Sequence, residues 1–313
     1  MRVLLVYTHH RRCIAHWYRR AFAQLGHQVA SIGPWADDYP FGVHGMEPTH
    51  GKQVPMRWPA IFDLAEFEPP EWDMLMLIDQ GEHLVVNGIN KPWVHLAMEG
   101  TGLEHSRAML RFYGIKQDTT PHGSIFLPGG YDRELYDRNP QGERCYDLVQ
   151  LATPRAARTY VWKTIQGRGA LTTFFGEIWG GAYPAVHHMA IATYACTTQD
   201  FVCLRVWEAM AAGCIVLCDR TPTMLSMFRD REHFIGLDTV ATSFGEHAPH
   251  AFDLEEIVLW VKANHVARIS MANAARELVR SRDSWAHRAQ TVIDAYSARR
   301  RIAWKRQVIP GNR

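Results

Sequence analysis

Short apolar runs alternate with helix-like patterns along the first third of the chain. Val3–Tyr7 is a continuous apolar run, and Ile14–Leu25 then repeats apolar residues at helical spacing before stopping at Gly26. Three more strands are predicted, at 28–32, 74–78 and 93–97. Uniformly apolar strands separated by helices are typical of a parallel sheet covered on both faces. The pattern therefore predicts a Rossmann-like unit.

The same alternation restarts after a turn-rich stretch that includes Leu127-Pro-Gly-Gly-Tyr-Asp132. Its Pro and Gly density predicts a linker. The elements predicted beyond it are strands at 148–151, 171–175, 190–196, 214–218 and 234–237, helices at 156–165 and 203–212, and long helical patterns from 254 to about 300.

We therefore predict an α/β protein with two Rossmann-like domains, whose parallel sheets face an interdomain cleft at the carboxyl ends of their strands. The boundaries are a first domain over 1–126, a linker over 127–146, a second domain with closing helices over 147–296, and a tail over 297–313.

Composition narrows the class of protein. The chain has 313 residues, 47% of them hydrophobic, which suits two domains with buried cores. A net charge of +2 gives no overall field for a nucleic-acid partner. The tail is the exception, because it holds six basic residues and no acid. It is interpreted as a solvated segment, with an anionic contact surface as the alternative.

Other sequence signals favour an intracellular, metal-independent protein. The six cysteines form no C-x-x-C pair, which disfavours a zinc site or a disulfide framework. The apolar run at the N-terminus is shorter than a signal peptide's core, and no run of about eighteen apolar residues exists. We therefore expect a cytoplasmic location. No D-x-D motif lies in a convincing strand context, so an obligatory metal is not expected.

The segment from Asp200 to Asp219 is the most informative. Asp200 is predicted in the loop between a strand and a helix, and Glu208 about two turns into that helix. Arg205 lies three residues before Glu208 and so shares its helix face. Carboxylates in these places could bind sugar and ribose hydroxyls, and the arginine could neutralise a diphosphate. A surface ion pair between Arg205 and Glu208 is the alternative.

This segment resembles the nucleotide-sugar segment of the spore-maturation (CgeB-like) glycosyltransferases, which are related to the retaining family-4 enzymes. Asp200-x7-Glu208 is similar to the E-x7-E motif of family 4, with Asp in place of the first Glu. Other stretches that resemble the family's motifs are Leu127–Asp132 (LP-x-x-x-D), Tyr146–Gln150 (an opening strand), Phe228–Phe234 (LF-x-x-G-x-E) and Ser284–Arg288 (H-T-W-x-x-R).

The resemblance implies a GT-B fold and a role for each matching residue. Glu208 would bind the ribose, and Asp200 would face the transferred sugar. Arg155 or Arg158 would lie near the diphosphate, with Lys163 as a third possibility; each could instead be an exposed helix charge. The co-substrate implied is a nucleoside-diphosphate sugar, with a UDP-sugar favoured, and no obligatory cofactor.

In the first domain, His9 and His10 follow the first strand in a loop without the glycines of a dinucleotide fingerprint. Either could orient the acceptor or act as general base if the reaction inverts; a solvent-exposed histidine pair is the alternative. Glu99 and Asp79 also lie at strand ends and are candidate acceptor-side acids, with a glycine-flanked turn as the alternative for Glu99.

The leading hypothesis is a hexosyltransferase that uses a nucleoside-diphosphate sugar and a hydroxyl acceptor, which could be a glycan, a protein or DNA. The resemblance implies retention of configuration. A non-catalytic protein that binds nucleotides or carbohydrates on the same fold is the alternative. A modified base in phage DNA is the alternative acceptor, suggested by the basic tail.

Overall fold

A computed structural model describes residues 1–9, 13–34, 61–64, 70–80, 84–99, 108–114, 123–137, 143–152, 155–178, 182–195, 202–241 and 247–308. The chain divides into two compact units. The first contains Met1–Pro128 together with Trp285–Arg313, and the second contains Gly129–Ser284.

The amino-terminal part of the first unit begins with alternating strands and a helix. The described elements are β1 (Arg2–Tyr7), α1 (Ala15–Gln24), β2 (Gln28–Ile32), β3 (Ile61–Asp63), β4 (Met74–Gln80), β5 (Val85–Asn87), β6 (Trp93–Glu99), β7 (Leu110–Tyr113) and β8 (Ile125–Phe126). A parallel sheet has the order β2-β1-β4-β6-β7-β8. The strands β3 and β5 form a separate parallel pair.

The central strand β1 shows why this sheet is covered on both faces. After Arg2, each of its residues is buried. Leu4 and Val6 join one core cluster with Leu75 and Leu77 of β4. Residues on the opposite face of β1 are equally buried, and α1 packs against that strand. Burial on both faces explains the uniformly apolar run.

The second unit repeats the alternation. Its described elements are α2 (Arg133–Tyr136), β9 (Tyr146–Leu151), α3 (Ala156–Arg168), β10 (Thr173–Gly176), α4 (Ala182–His188), β11 (Ala190–Tyr194), α5 (Arg205–Ala211), β12 (Ile215–Asp219), α6 (Pro222–Met227), β13 (Ile235–Leu237), β14 (Val240–Ala241), β15 (His247–Ala248), α7 (Ala251–Ala263) and α8 (His265–Arg282). A parallel sheet has the order β10-β9-β11-β12-β13.

Alternate residues of β12 point into two different cores. Val216 and Cys218 pack with α5 and with Val279 of α8 in one cluster. Ile215 and Leu217 pack with residues of α3 and α7 in the other. Helices therefore cover both faces of the second sheet. Two parallel sheets with helices confirm the predicted α/β fold class.

The last helix, α9 (Trp285–Val308), belongs to the first unit, whereas the sequence boundaries placed residues up to 296 in the second domain. One face of α9 is buried, and its residues recur at helical spacing: Trp285, Ala289, Val292 and Tyr296. The Trp285 ring lies 5.3 Å from that of Tyr18 in α1. The Tyr296 hydroxyl donates to the backbone oxygens of residues 73 and 92. Sequence spacing predicts such a face but not which sheet it covers.

Candidate active site

Glu208 lies in the first turn of α5. The residue is only 8% exposed, so its carboxylate is largely withdrawn from water. The hydroxyl of Tyr183, the second residue of α4, donates a 2.9 Å hydrogen bond to Glu208 Oε2. Because α4 follows β10 and α5 follows β11, both helices begin at the carboxyl edge of the second sheet. This pair is the centre of the candidate site.

The start of α5 corrects one sequence prediction. Glu208 was expected about two turns into the helix, but the helix begins at Arg205 and Glu208 is its fourth residue. Val202 and Cys203 are buried ahead of the helix rather than within it. Arg205 and Glu208 still share a helix face, and Arg205 is half-buried. The burial of Glu208 disfavours the alternative of a surface ion pair between these two residues.

The environment of Glu208 favours its neutral form. Burial raises the pKa of Glu208 from 4.5 to about 7, because a charged carboxylate is costly away from water. The hydrogen bond from Tyr183 and the positive charge of Arg205 act in the opposite direction, while the charge of Asp132 adds to the increase. This carboxyl group therefore changes its charge near neutral pH, as groups at functional sites often do.

Two buried aromatic residues support Tyr183. Its ring meets the edge of the His187 ring at 5.2 Å and 82°. His187 Nδ1 in turn lies 3.2 Å from the Tyr136 hydroxyl. Burial, helped by Arg205, lowers the pKa of His187 to about 3, so this imidazole is neutral at physiological pH. Burial also raises the pKa of Tyr183 well above 10, which keeps its hydroxyl protonated and able to donate.

Gly129, in the loop before α2, packs closely against α5. A Cβ on Gly129 would come within 2.6 Å of Leu204 Cδ2 and 2.8 Å of Trp207 Cζ3, so a larger residue would force these side chains to shift. Asp132, in the same loop, is buried and accepts a 2.8 Å hydrogen bond from the Glu134 backbone N–H. Gly129, within the Leu127–Asp132 motif, thus lies beside the helix that contains Glu208.

The other end of α5 is closed by a glycine and an arginine. Gly213 follows the helix with φ of +76°, a left-handed conformation that suits a helix C-terminus. Arg144 donates to the Ala212 oxygen at 3.1 Å and to the Gly213 oxygen at 2.9 Å. A cation at this end also complements the helix dipole. These contacts stabilise the short helix at its carboxyl end.

The structure places the other predicted donor-side cations on α3, after β9. Arg155 is the N-cap of α3 and is exposed, and Arg158 is half-buried in the first turn. Lys163 is exposed, two turns into the helix. Arg155 and Arg158 are thus close to the carboxyl edge of the second sheet, whereas Lys163 lies farther along. Asp200 lies outside the described residues.

In the first unit, His9 follows β1 and Asp79 is the sixth residue of the neighbouring strand β4, so both lie near the carboxyl ends of these strands. His9 is fully buried, with its ring 4.1 Å from Tyr7, which contradicts the solvent-exposed alternative for this residue. Its backbone N–H donates to the Pro34 oxygen at 2.7 Å. Asp79 is also buried, inside the strand rather than after it.

The remaining two candidates of the first domain are less fully described. Glu99 is the last residue of β6, and the backbone register pairs it with Gln80 of β4. His10 lies outside the described residues.

Sequence reasoning missed Tyr183, His187 and Tyr136. They are 25, 21 and 72 residues from Glu208 along the chain, and none stands in a motif that predicts the contact. Asp132 is part of the Leu127–Asp132 motif, but the sequence assigned it no role. Only the tertiary structure brings these groups around the carboxylate.

Within the described residues, no group of three or more His, Cys, Asp or Glu side chains is arranged to hold a metal ion. The same part of the chain contains no helix whose length and hydropathy suit a membrane span.

Solved structures with the same architecture define the fold class. Sucrose-phosphate synthase from Thermosynechococcus elongatus matches with a TM-score of 0.62 at 11% identity, over 95% of this chain and 99% of that chain. An α-glucosyltransferase in complex with UDP and a 13-mer DNA containing an HMU base matches with a TM-score of 0.63 at 10% identity, over 95% of this chain and 99% of that chain. The Anabaena protein HepE in complex with UDP and glucose matches with a TM-score of 0.62 at 10% identity, over 95% of this chain and 100% of that chain. The chain therefore has the fold of GT-B glycosyltransferases.

Most of the second unit and the start of α9 also match a family model in sequence. Residues 149–294 fit the family model Glyco_trans_1_2, described as "Glycosyl transferase-like". This range includes both Tyr183 and Glu208. No curated protein matches the chain in sequence. Residues 149–294 are thus similar to a glycosyltransferase-like family, and the chain has the fold of GT-B glycosyltransferases.

Proposed function

We propose that this protein is a glycosyltransferase that moves a hexose from a UDP-sugar to a hydroxyl acceptor. The observation that carries the proposal is the buried Glu208 carboxylate, held by Tyr183 at the start of α5 inside the glycosyltransferase-like segment. HepE and the α-glucosyltransferase have the same fold, and their structures are complexes with UDP or UDP-glucose. The second unit would hold the donor and the first unit the acceptor.

In this proposal Glu208 binds the ribose of the nucleotide. A ribose diol offers two adjacent hydroxyl donors, and each oxygen of an ionised carboxylate can accept two hydrogen bonds. Ligand hydroxyls would replace part of the water that burial removes, and so favour the charged form. Donor binding is therefore expected to strengthen as the pH rises through about 7, where Glu208 ionises.

Cations on the second unit would meet the charge of the diphosphate. Arg205 lies on the same helix face as Glu208, and Arg155 and Arg158 begin α3 at the carboxyl edge of the sheet. Arginine donors can stabilise the charge that develops on the leaving UDP. Lys163 is the weaker candidate because it is exposed two turns into α3.

The chemical step requires three changes. The bond between the anomeric carbon and the diphosphate oxygen breaks, the acceptor oxygen bonds to that carbon, and the acceptor hydroxyl loses its proton. The CgeB-like resemblance supports retention of configuration and a position for Asp200 facing the sugar. On the acceptor side, Asp79, Glu99, His9 and His10 remain the candidates, with a histidine as general base only if the reaction inverts.

DNA is the second candidate acceptor. The solvent-exposed side chains of Arg299, Arg300 and Arg301 near the end of α9 favour it, because clustered cations attract phosphate backbones. If this candidate is correct, the protein binds a duplex in low salt, and binding weakens steeply as salt increases. Salt-independent binding, or none, would exclude it.

The test of the proposed function has two stages. A thermal-shift screen of nucleotide sugars should raise the melting temperature with a UDP-hexose, since a ligand that binds the native state stabilises it. The purified protein should then release UDP from that donor, by hydrolysis or transfer. Stabilisation without UDP release from any hexose donor would support a non-catalytic binding protein. No stabilisation by any nucleotide sugar would refute the proposal.

A further inference from the structure

The hydroxyl of Tyr183 is the one hydrogen-bond donor that the described residues supply to the Glu208 carboxylate. It reaches Oε2 at 2.9 Å, and nothing in the described part of the chain donates to Oε1. A terminal carboxylate rotates readily about its last side-chain bond. A donor fixed on one oxygen therefore determines the direction in which the other oxygen points.

Tyr183 is itself held in place by its helix and by the ring of His187. Its backbone lies near the start of α4, which packs directly against α5. Its ring stands edge-on to His187, and the Tyr136 hydroxyl is 3.2 Å from the nitrogen of that imidazole. His187 and Tyr136 are both buried, so neither can move without disturbing the core. The donor to Glu208 thus belongs to a rigid group of three aromatic side chains.

We propose that Tyr183 is a positioning residue, whose hydroxyl holds Oε2 of Glu208 so that the carboxylate presents Oε1 to the ribose diol of the donor. This inference rests on the proposed function, because it assumes that Glu208 binds the nucleotide. Tyr183 acts through Glu208 and need not touch the sugar. Its second effect is electrostatic, since the hydrogen bond favours the charged carboxylate that the diol requires.

Replacing Tyr183 by Phe removes the hydroxyl and keeps the ring against His187. UDP affinity is measured by calorimetry at several pH values between 6 and 9. The pKa of Glu208 rises when the hydrogen bond is lost, so the pH at which UDP binding reaches half its maximum should increase. At pH 7 the Tyr183→Phe protein should bind UDP about tenfold more weakly, the usual effect of losing a hydrogen bond to a charged group. The deficit should shrink towards pH 9.

Tyr160→Phe is the matched control, because Tyr160 is an exposed tyrosine on α3 of the same unit. It should bind UDP like the wild type at each pH. A purely structural role for Tyr183 would lower the melting temperature without moving the pH midpoint of binding. That result, or an affinity loss of the same size at every pH, would overturn the inference.

A Glu208→Gln protein separates this failure from failure of the proposed function. If Glu208→Gln binds UDP as well as the wild type, the donor site is wrong and the proposed function fails with it. If Glu208→Gln binds weakly while Tyr183→Phe matches the wild type, only the positioning role of Tyr183 is refuted. The expected result is weak binding by both variants at pH 7, with recovery at high pH for Tyr183→Phe alone.

Discussion

The Glu208 carboxyl group should destabilise the folded protein at alkaline pH. Burial raises its pKa from 4.5 to about 7. Between those two values the folded state binds more protons than the unfolded state, so the free energy of unfolding falls as the pH rises through this window. A difference of about 2.5 in pKa corresponds to about 3 kcal/mol, because each unit is worth about 1.4 kcal/mol. The full cost applies above pH 7, and none of it below pH 4.5.

Replacing Glu208 by Gln removes the ionisation and keeps a side chain of the same size that can accept from Tyr183. At pH 8.5 we expect the Gln variant to be more stable than the wild type by up to about 3 kcal/mol. At pH 5 the advantage of the Gln variant should shrink to about 1 kcal/mol, because this pH is near the lower end of the window in which the folded and unfolded states bind different numbers of protons. Urea denaturation at pH 5, 7 and 8.5 measures the difference. Subtracting the two free energies of unfolding removes the contribution of every titrating group that the two proteins share.

Glu256→Gln is the control for this measurement, because Glu256 is an exposed acid on α7 of the same unit. Its stability should follow that of the wild type at each pH. The reasoning would be refuted if the advantage of Glu208→Gln were the same at pH 5 and pH 8.5. It would also be refuted if the wild type were the more stable protein at pH 8.5. Glu208→Gln is thus expected to stabilise the protein and to weaken donor binding, because the functional carboxylate is kept in an environment that is unfavourable for its charge.

Two other predictions test how α5 is held. Gly129→Ala places a Cβ within 2.6 Å of Leu204 and should cost about 1–3 kcal/mol in urea denaturation. Gly167 lies inside α3, and a Cβ there would meet nothing within 4 Å, so Gly167→Ala should instead stabilise the protein by about 0.5–1 kcal/mol. If both substitutions changed the free energy of unfolding equally, the close packing of Gly129 against α5 would be contradicted. Arg144→Met removes the donors to the Ala212 and Gly213 oxygens and should lower the free energy of unfolding by about 1–3 kcal/mol. An unchanged midpoint in that variant would show that these hydrogen bonds contribute nothing.

The sequence predicted buried parallel strands well because such strands are uniformly apolar. The predicted strand at 214–218 lies within one residue of β12, and the one at 74–78 lies within β4, where each of these five residues is buried. β7 was missed because it is mostly half-buried and mixes polar with apolar residues. α4 was missed because Pro184 and two adjacent histidines give no helical pattern. Local patterns thus predict an element where its burial is uniform, and fail where its surroundings are mixed.

The candidate site was predictable only in part. Spacing and resemblance selected Glu208 and Arg205, which the structure places on one helix face. The hydrogen bond from Tyr183 joins residues on two helices and is visible only after folding. The raised pKa of Glu208 has the same origin, since burial is a property of the tertiary structure. The position of α9 also depends on packing that no local pattern reports.

Donor binding by a Glu208→Ala protein tests the central claim most directly. Calorimetric titration with UDP-glucose compares the wild type, Glu208→Ala and the exposed-site control Glu256→Ala, each with a native circular dichroism spectrum. The account predicts that the wild type and Glu256→Ala bind with the same affinity, and that Glu208→Ala binds at least about tenfold more weakly. Equal affinity of all three folded proteins for UDP-glucose would contradict it.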